Sequence, residues 1–147
     1  GAIVTRVIDV SDTGSAGYRF IKVDSGMTDN VRPSMYGAEH PLVVVPKTPG
    51  PRGTGPFIVC GHCCESGDIL TPERGNPEEL APRTLTEACI GDLLVIEASG
   101  AYCASMSCKN YNSFPESPEV LLTASGEYRL IRNRQTLEQL VQNEVPE

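Results

Sequence analysis

Short runs of alternating apolar and polar residues recur along the chain, separated by clusters of Gly, Pro, Ser and Asp. The runs Ala2 to Val10 and Tyr18 to Val23 are rich in β-branched residues and flank a turn-prone stretch, which predicts a β-hairpin. Leu42 to Pro46 and Pro56 to Cys60 flank a Pro- and Gly-rich loop. We interpret this pair as a second hairpin.

Further β-prone runs follow in the second half of the chain: Asp92 to Ala98, Val120 to Ala124 and Tyr128 to Ile131. About seven short strands at this spacing predict a mainly β domain, an antiparallel barrel or sandwich. Only the tail has helical periodicity, because Leu137, Leu140 and Val141 recur at i, i+3 and i+4. We therefore predict one C-terminal helix, capped by Asn133 or Thr136.

Length, charge and cysteine content limit the classes of protein to which this chain can belong. A length of 147 residues predicts one domain over residues 1–147. The net charge of -7, without a basic stripe, excludes nucleic acid as a partner, and no apolar run is long enough for a membrane helix. Six cysteines without a secretory signal favour the cytoplasm. The start at Gly1, without Met, indicates a piece of a longer protein.

One stretch, Cys60 to Asp68, holds three thiols, an imidazole and two carboxylates in nine residues. The C-x-x-C spacing of Cys60 and Cys63 is typical of zinc ligands, and Cys103 with Cys108 could supply a second pair. A reactive thiol on the same loop is another interpretation, since a thiol followed by Glu on a Gly-containing loop is exposed to solvent and can be tuned by neighbouring charge. Spacing alone leaves both open.

Several motifs point to a known family. Residues Cys64 to Asp68 read C-E-S-G-D, and Asp24 to Tyr36 fit D-x-G-M-x-x-x-x-R-P-x-x-Y. Gly91-Asp92 and the block Gly100 to Met106, which reads G-A-Y-C-A-S-M, follow in order. These blocks resemble diaminopimelate decarboxylases, members of the fold-type III pyridoxal-phosphate-dependent amino-acid decarboxylases. The resemblance covers nearly the whole chain and implies the C-terminal β-domain.

The resemblance implies pyridoxal 5'-phosphate as cofactor, bound mainly by an N-terminal (β/α)8 barrel of about 250 residues that this chain lacks. That barrel carries the Schiff-base lysine in the family. The lysines of this chain, Lys22, Lys47 and Lys109, lie in no comparable context. We expect the isolated chain to be inactive and to bind the cofactor weakly or not at all.

The resemblance also implies roles for five side chains. Arg32 and Tyr36 would bind the distal carboxylate of the substrate, and Glu65 its distal ammonium group. Cys64 would be the catalytic proton donor, and Tyr102 would bind the cofactor phosphate or the substrate. The Cys64 loop enters the active site of the other subunit in this family, which implies a homodimer.

The function that follows is decarboxylation of meso-2,6-diaminopimelate to L-lysine and CO2, a small amino-acid substrate, with no resident metal. Ornithine, arginine and carboxynorspermidine are alternative substrates within the same class of enzyme. From other classes, a non-catalytic zinc-binding β module and an inactive interaction domain that uses only the dimer surface stay open.

Overall fold

Residues 1–145, the part of the chain that the computed structural model describes, contain ten strands and two α-helices. They fall into two units that divide between Cys108 and Lys109. The strands of the first unit are β1 (Ile3–Asp12), β2 (Arg19–Val23), β3 (Leu42–Val45), β4 (Thr54–Cys60), β5 (Pro72–Glu73), β6 (Asn76–Leu80), β7 (Arg83–Thr86) and β8 (Leu93–Ile96). The first unit also contains helix α1 (Arg32–Tyr36).

Six strands of the first unit form one sheet in the order β3-β8-β1-β2-β4-β7. The two edge strands, β3 and β7, lie next to each other, so the sheet is a nearly closed barrel. This arrangement confirms the mainly β prediction. The pairs are antiparallel except for β2 with β4, which run parallel and depart from the antiparallel prediction.

The alternation of apolar and polar residues places the core inside this sheet. Val7 of β1 and Ile21 of β2 are fully buried, whereas Lys22 between two buried positions points outward. Buried and exposed residues alternate in this way because the pleat of a strand directs successive side chains to opposite faces of the sheet. Strand β4 is different, because Phe57, Ile58 and Val59 are all fully buried and both of its faces are covered at these positions.

The first predicted hairpin is confirmed, and the second is wrong. Strands β1 and β2 pair directly around the turn at 13–18. Strands β3 and β4 do not pair with each other, since β3 pairs with β8 and β4 with β2 and β7. The long Pro- and Gly-rich loop between them permits this crossing, because its eight residues, 46–53, are more than a tight hairpin needs.

Helix α1 differs from the expectation, since helical periodicity in the sequence predicts a helix only in the tail. Pro33 lies in its first turn, where a missing amide proton costs nothing. Gly37 ends the helix with a φ of 60°, and its amide donates to Pro33 O at 2.9 Å. A Cβ on Gly37 would also lie 2.5 Å from Asn76 N, so this glycine lets α1 pack closely against the β5-β6 hairpin.

Asp92 is the buried charge that stabilises the end of the sheet. Its carboxylate accepts hydrogen bonds from the amides of Lys47 at 2.8 Å and Cys89 at 2.7 Å, and it pairs with Arg52. Burial opposes ionisation of Asp92, but these donors outweigh it and hold the pKa of the carboxyl below its ordinary value. The Gly91-Asp92 motif therefore has a structural explanation.

We expect Asp92→Asn to lower the free energy of unfolding by about 3 kcal/mol at neutral pH, because it removes the charge that pairs with Arg52. Since the folded-state pKa is depressed, this stabilisation is complete above the ordinary value of 3.8 and is lost as the pH falls through the lower folded value. Urea unfolding at about pH 7 and about pH 3 measures both effects.

Asp9→Asn is the matched control, because Asp9 pairs with Lys22 on the surface, where both side chains are more than 40% exposed. We expect a loss below about 0.5 kcal/mol there. Equal losses for the two variants would contradict the assignment of Asp92.

The second unit begins at Lys109 and contains a 3-10 helix (Tyr111–Ser113), strands β9 (Glu119–Leu122) and β10 (Tyr128–Arg132), and helix α2 (Leu137–Leu140). The two strands form an antiparallel hairpin. The predicted C-terminal helix is confirmed, with Thr136 as its N-cap in a capping box with Gln139. Neither α-helix in residues 1–145 is long and apolar enough to cross a membrane.

Candidate active site

Three segments of the first unit carry the predicted site residues, and hydrogen bonds join these segments to one another. Residues 24–36 carry Arg32 and Tyr36, residues 60–68 carry Cys64 and Glu65, and residues 99–108 carry Tyr102. The first two segments are joined by the amide of His62, which donates to Ser25 O at 3.1 Å, and the first and third by the amide of Cys108, which donates to Met27 O at 2.9 Å. We call these the first, second and third segments.

Helix α1 places Arg32 and Tyr36 on one face, because residues four apart in a helix are neighbours on its surface. Tyr36 is half exposed, at 51%, and no carboxylate in the described part of the chain forms a salt bridge with Arg32. A guanidinium and a phenol at this spacing can bind a carboxylate together.

Tyr102 joins Arg32 from the third segment. The Arg32 Cζ atom lies 5.9 Å from the centroid of the Tyr102 ring, within range of a cation-π contact. Tyr102 is 63% exposed and has a φ of 61°, a left-handed conformation that a bulky residue adopts only at a cost. This strained backbone holds the phenol outward, beside the guanidinium.

Cys64 and Glu65 lie at the tip of the second segment, and both are exposed. Glu65 accepts hydrogen bonds from the amide of Gly67 at 3.0 Å and from the hydroxyl of Ser66 at 3.3 Å. A groove of about 550 Å³ opens beside them, with Phe20 of β2 among its lining residues. The tip therefore presents a thiol and a carboxylate to the solvent.

Asp68 lies behind this tip and is 2% exposed. One carboxylate oxygen accepts from the amide of Met27 at 2.8 Å, and the other from the amide of Cys63 at 2.9 Å. A Cβ on Gly26 would lie 2.5 Å from Asp68 Oδ2, and one on Gly61 would lie 2.5 Å from Asp68 Cγ. Only glycines leave room for the carboxylate at these two positions.

His62 contacts the first segment through its imidazole. Its Nε2 and the buried Thr28 Oγ1 lie 2.8 Å apart and share a hydrogen bond. Burial lowers the pKa of His62 and outweighs Asp68, Asp29 and Asp24, which raise it. A neutral His62 is therefore part of the packing between the two segments.

The neighbouring cysteines are held as thiols. Burial raises the pKa of Cys60 to about 11, and burial together with Asp68 raises that of Cys63 to about 12. Burial also raises the pKa of Cys103, although Arg32 opposes the rise. These three thiols are therefore protonated at neutral pH.

The structure gives the zinc alternative no support. Within residues 1–145, no three His, Cys, Asp or Glu side chains group in a way that could hold a metal ion. The Cys60 thiol lies 3.8 Å from Ile21 O, and Cys103 is almost fully buried. No disulfide forms among the six cysteines, all of which belong to the described residues.

The residues that hold the three segments together have no sequence signal that shows this role. Asp68 and Gly26 were recognised only as letters of two separate motifs, and nothing in the sequence shows that these motifs meet. A signal for helix α1 was present, since Pro33 at its start and Gly37 just past its end are typical of helix boundaries.

The three segments fit pyridoxal phosphate as a partial site. The exposed phenol of Tyr102 and the guanidinium of Arg32 are donors of the kind that bind phosphate or carboxylate groups. None of the three segments contains a lysine within the described residues. A Schiff-base lysine would therefore have to come from outside these three segments.

Comparison with known proteins defines the family. Residues 1–100 match the family model described as pyridoxal-dependent decarboxylase, C-terminal sheet domain. The chain belongs to this family of C-terminal sheet domains, and the resemblance inferred from its motifs is confirmed.

The relatives carry a more specific name. The diaminopimelate decarboxylase of Escherichia coli K12 is 42% identical over 144 residues, which cover 96% of this chain and 33% of the relative. A crystal structure of diaminopimelate decarboxylase superposes with a TM-score of 0.87 at 41% identity, covering 97% of this chain and 33% of that one. The crystal structure of diaminopimelate decarboxylase from Helicobacter pylori complexed with L-lysine superposes with a TM-score of 0.80 at 34% sequence identity. The match covers 97% of this chain and 31% of that one. The chain thus spans about a third of its relatives' length.

Proposed function

We propose that the full-length protein carrying this chain decarboxylates meso-2,6-diaminopimelate to L-lysine, and that this chain supplies part of the active site. The observation that carries the proposal is the contact of Arg32 with Tyr102 between two segments of a chain that is 42% identical to a diaminopimelate decarboxylase over 144 residues. The names of the relatives support the choice of substrate.

Each site residue has a chemical role in this proposal. The guanidinium of Arg32 binds the distal carboxylate through two parallel hydrogen bonds, with Tyr36 as a second donor. The carboxylate of Glu65 binds the distal ammonium group. Tyr102 donates its phenolic proton to the cofactor phosphate or to the substrate. Together these groups select an amino acid that is charged at both ends.

Bound pyridoxal phosphate supplies the electron sink for the bond to the departing CO2. The exposed thiol of Cys64 then donates its proton to the α-carbon that has lost CO2, and the thiolate recovers a proton from solvent.

The assembly is also part of the proposal. Residues 1–147 act as one β-domain beside an N-terminal barrel, and two copies of the protein form a homodimer in the cytoplasm. The exposed tip with Cys64 and Glu65 supports this, since both side chains are accessible to a second copy of the protein. Cysteines without disulfides are usual in a reducing compartment.

The test is CO2 release by the full-length protein, loaded with cofactor, from diaminopimelate, ornithine, arginine and carboxynorspermidine. We expect kcat/KM for diaminopimelate to exceed that for ornithine by about 10⁴, because ornithine leaves the guanidinium of Arg32 without its carboxylate. The isolated 147-residue chain should release no CO2. Faster turnover of ornithine or arginine would assign a different substrate.

A further inference from the structure

We infer that Asp68 is the positioning residue of the site, because its one buried carboxylate fixes all three segments relative to one another. This inference rests on the proposed function for its meaning in catalysis. The Asp68 carboxylate accepts hydrogen bonds from backbone amides, so it acts through the backbone that carries the exposed thiol and the guanidinium.

The first step is the closure of the second segment. The amide of Gly61 donates to Asp68 O at 2.8 Å, and the amide of Asp68 donates to Glu65 O at 3.1 Å. The Asp68 side chain then folds back inside this loop to accept the Cys63 amide. Cys64, the next residue along the chain, is thereby held at a fixed position on the loop.

Hydrogen bonds also connect Asp68 to the first segment and, through it, to the third. The same carboxylate accepts the amide of Met27 in the first segment, and the carbonyl of Met27 accepts the amide of Cys108 in the third. A continuous series of hydrogen bonds thus runs from Cys63 through Asp68 and Met27 to Cys108.

The close packing requires this side chain in particular. Gly26 and Gly61 face the carboxylate from two segments, and neither could carry a Cβ without displacing it. A carboxylate accepts at both oxygens, whereas the amide of an asparagine offers one acceptor and one donor. In Asp68→Asn, one of the two backbone amides therefore faces an N–H group and loses its hydrogen bond.

The experiment compares Asp68→Asn with Asp92→Asn in the full-length protein. Both replace a buried aspartate of the first unit that accepts two backbone amides, and only Asp68 lies at the site. Hydrogen exchange of peptides that contain Met27, Cys63 or Cys108 and steady-state kinetics are measured well below both melting temperatures.

For Asp68→Asn we expect about tenfold faster exchange at Met27 or Cys63 and also at Cys108, which Asp68 does not touch. We expect kcat/KM for diaminopimelate to fall about 100-fold, because misplacement of reacting groups by about 1 Å has this effect. Asp92→Asn should instead accelerate exchange at Lys47 and Cys89 and change kcat/KM less than about threefold.

Exchange at Cys108 that stays at the wild-type rate in Asp68→Asn would overturn the inference, whatever the kinetics. If the wild-type protein does not decarboxylate diaminopimelate, the proposed function fails, and hydrogen exchange alone decides the role of Asp68. Should Asp68→Asn not fold, Gly26→Ala takes its place, because a methyl group there displaces the carboxylate and should produce the same pattern.

Discussion

Cys64→Ala in the full-length protein is expected to lower kcat for diaminopimelate about 10³-fold with little change in KM, because it removes the proposed proton donor and leaves the binding groups in place. Cys64 is an exposed thiol on a loop that Asp68 orders, so its loss creates no cavity in the core. Steady-state kinetics of cofactor-loaded protein measure the effect.

Cys89→Ala is the control, since Cys89 is the other exposed cysteine of the described residues and lies beside Asp92, outside the three segments. Its kcat should stay within about twofold of the wild-type value, as usual for surface substitutions away from a site. If kcat of Cys64→Ala equals that of the wild-type protein, Cys64 is not the proton donor, and another group must supply the proton.

Arg32→Lys is expected to lower kcat/KM for diaminopimelate about 100-fold, because a lysine keeps the charge but cannot form two parallel hydrogen bonds with a carboxylate. Turnover of ornithine, which has no distal carboxylate, should change much less. The ratio of the two substrates is therefore the decisive measurement.

Arg6→Lys is the matched variant, because Arg6 is an exposed arginine on β1 of the same unit. It should leave both substrates unaffected. An equal loss for diaminopimelate and ornithine in Arg32→Lys would mean that Arg32 stabilises the site without binding the distal carboxylate.

Local patterns predicted the parts of the fold that depend on neighbours in sequence. The β1-β2 hairpin follows from two alternating runs on either side of a turn, and helix α2 follows from the spacing of Leu137 and Leu140 with Thr136 as cap. The pairing of β3 with β8 could not be predicted in this way, because the partner strands lie far apart in sequence.

For the site, too, sequence patterns predicted the local features and not the long-range contacts. The family motifs identified Arg32, Cys64 and Tyr102 as candidate site residues. A motif identifies residues within one stretch of sequence, however, and does not show which stretches are in contact. The three-dimensional structure adds the contact of Arg32 with Tyr102 and the carboxylate of Asp68 between two motifs. These contacts arise from tertiary packing, which no local propensity encodes.

The position of β1 in the sheet has a consequence for synthesis of the protein. Although β1 is the first strand of this chain, it lies between β2 and β8, and β8 begins only at Leu93. Most of the first unit must therefore be synthesised before β1 can pair with β8. The chain between these two strands is long, and contacts that close a long loop form slowly. Until then, one edge of β1 has no partner strand, and an unpaired strand edge is prone to aggregation.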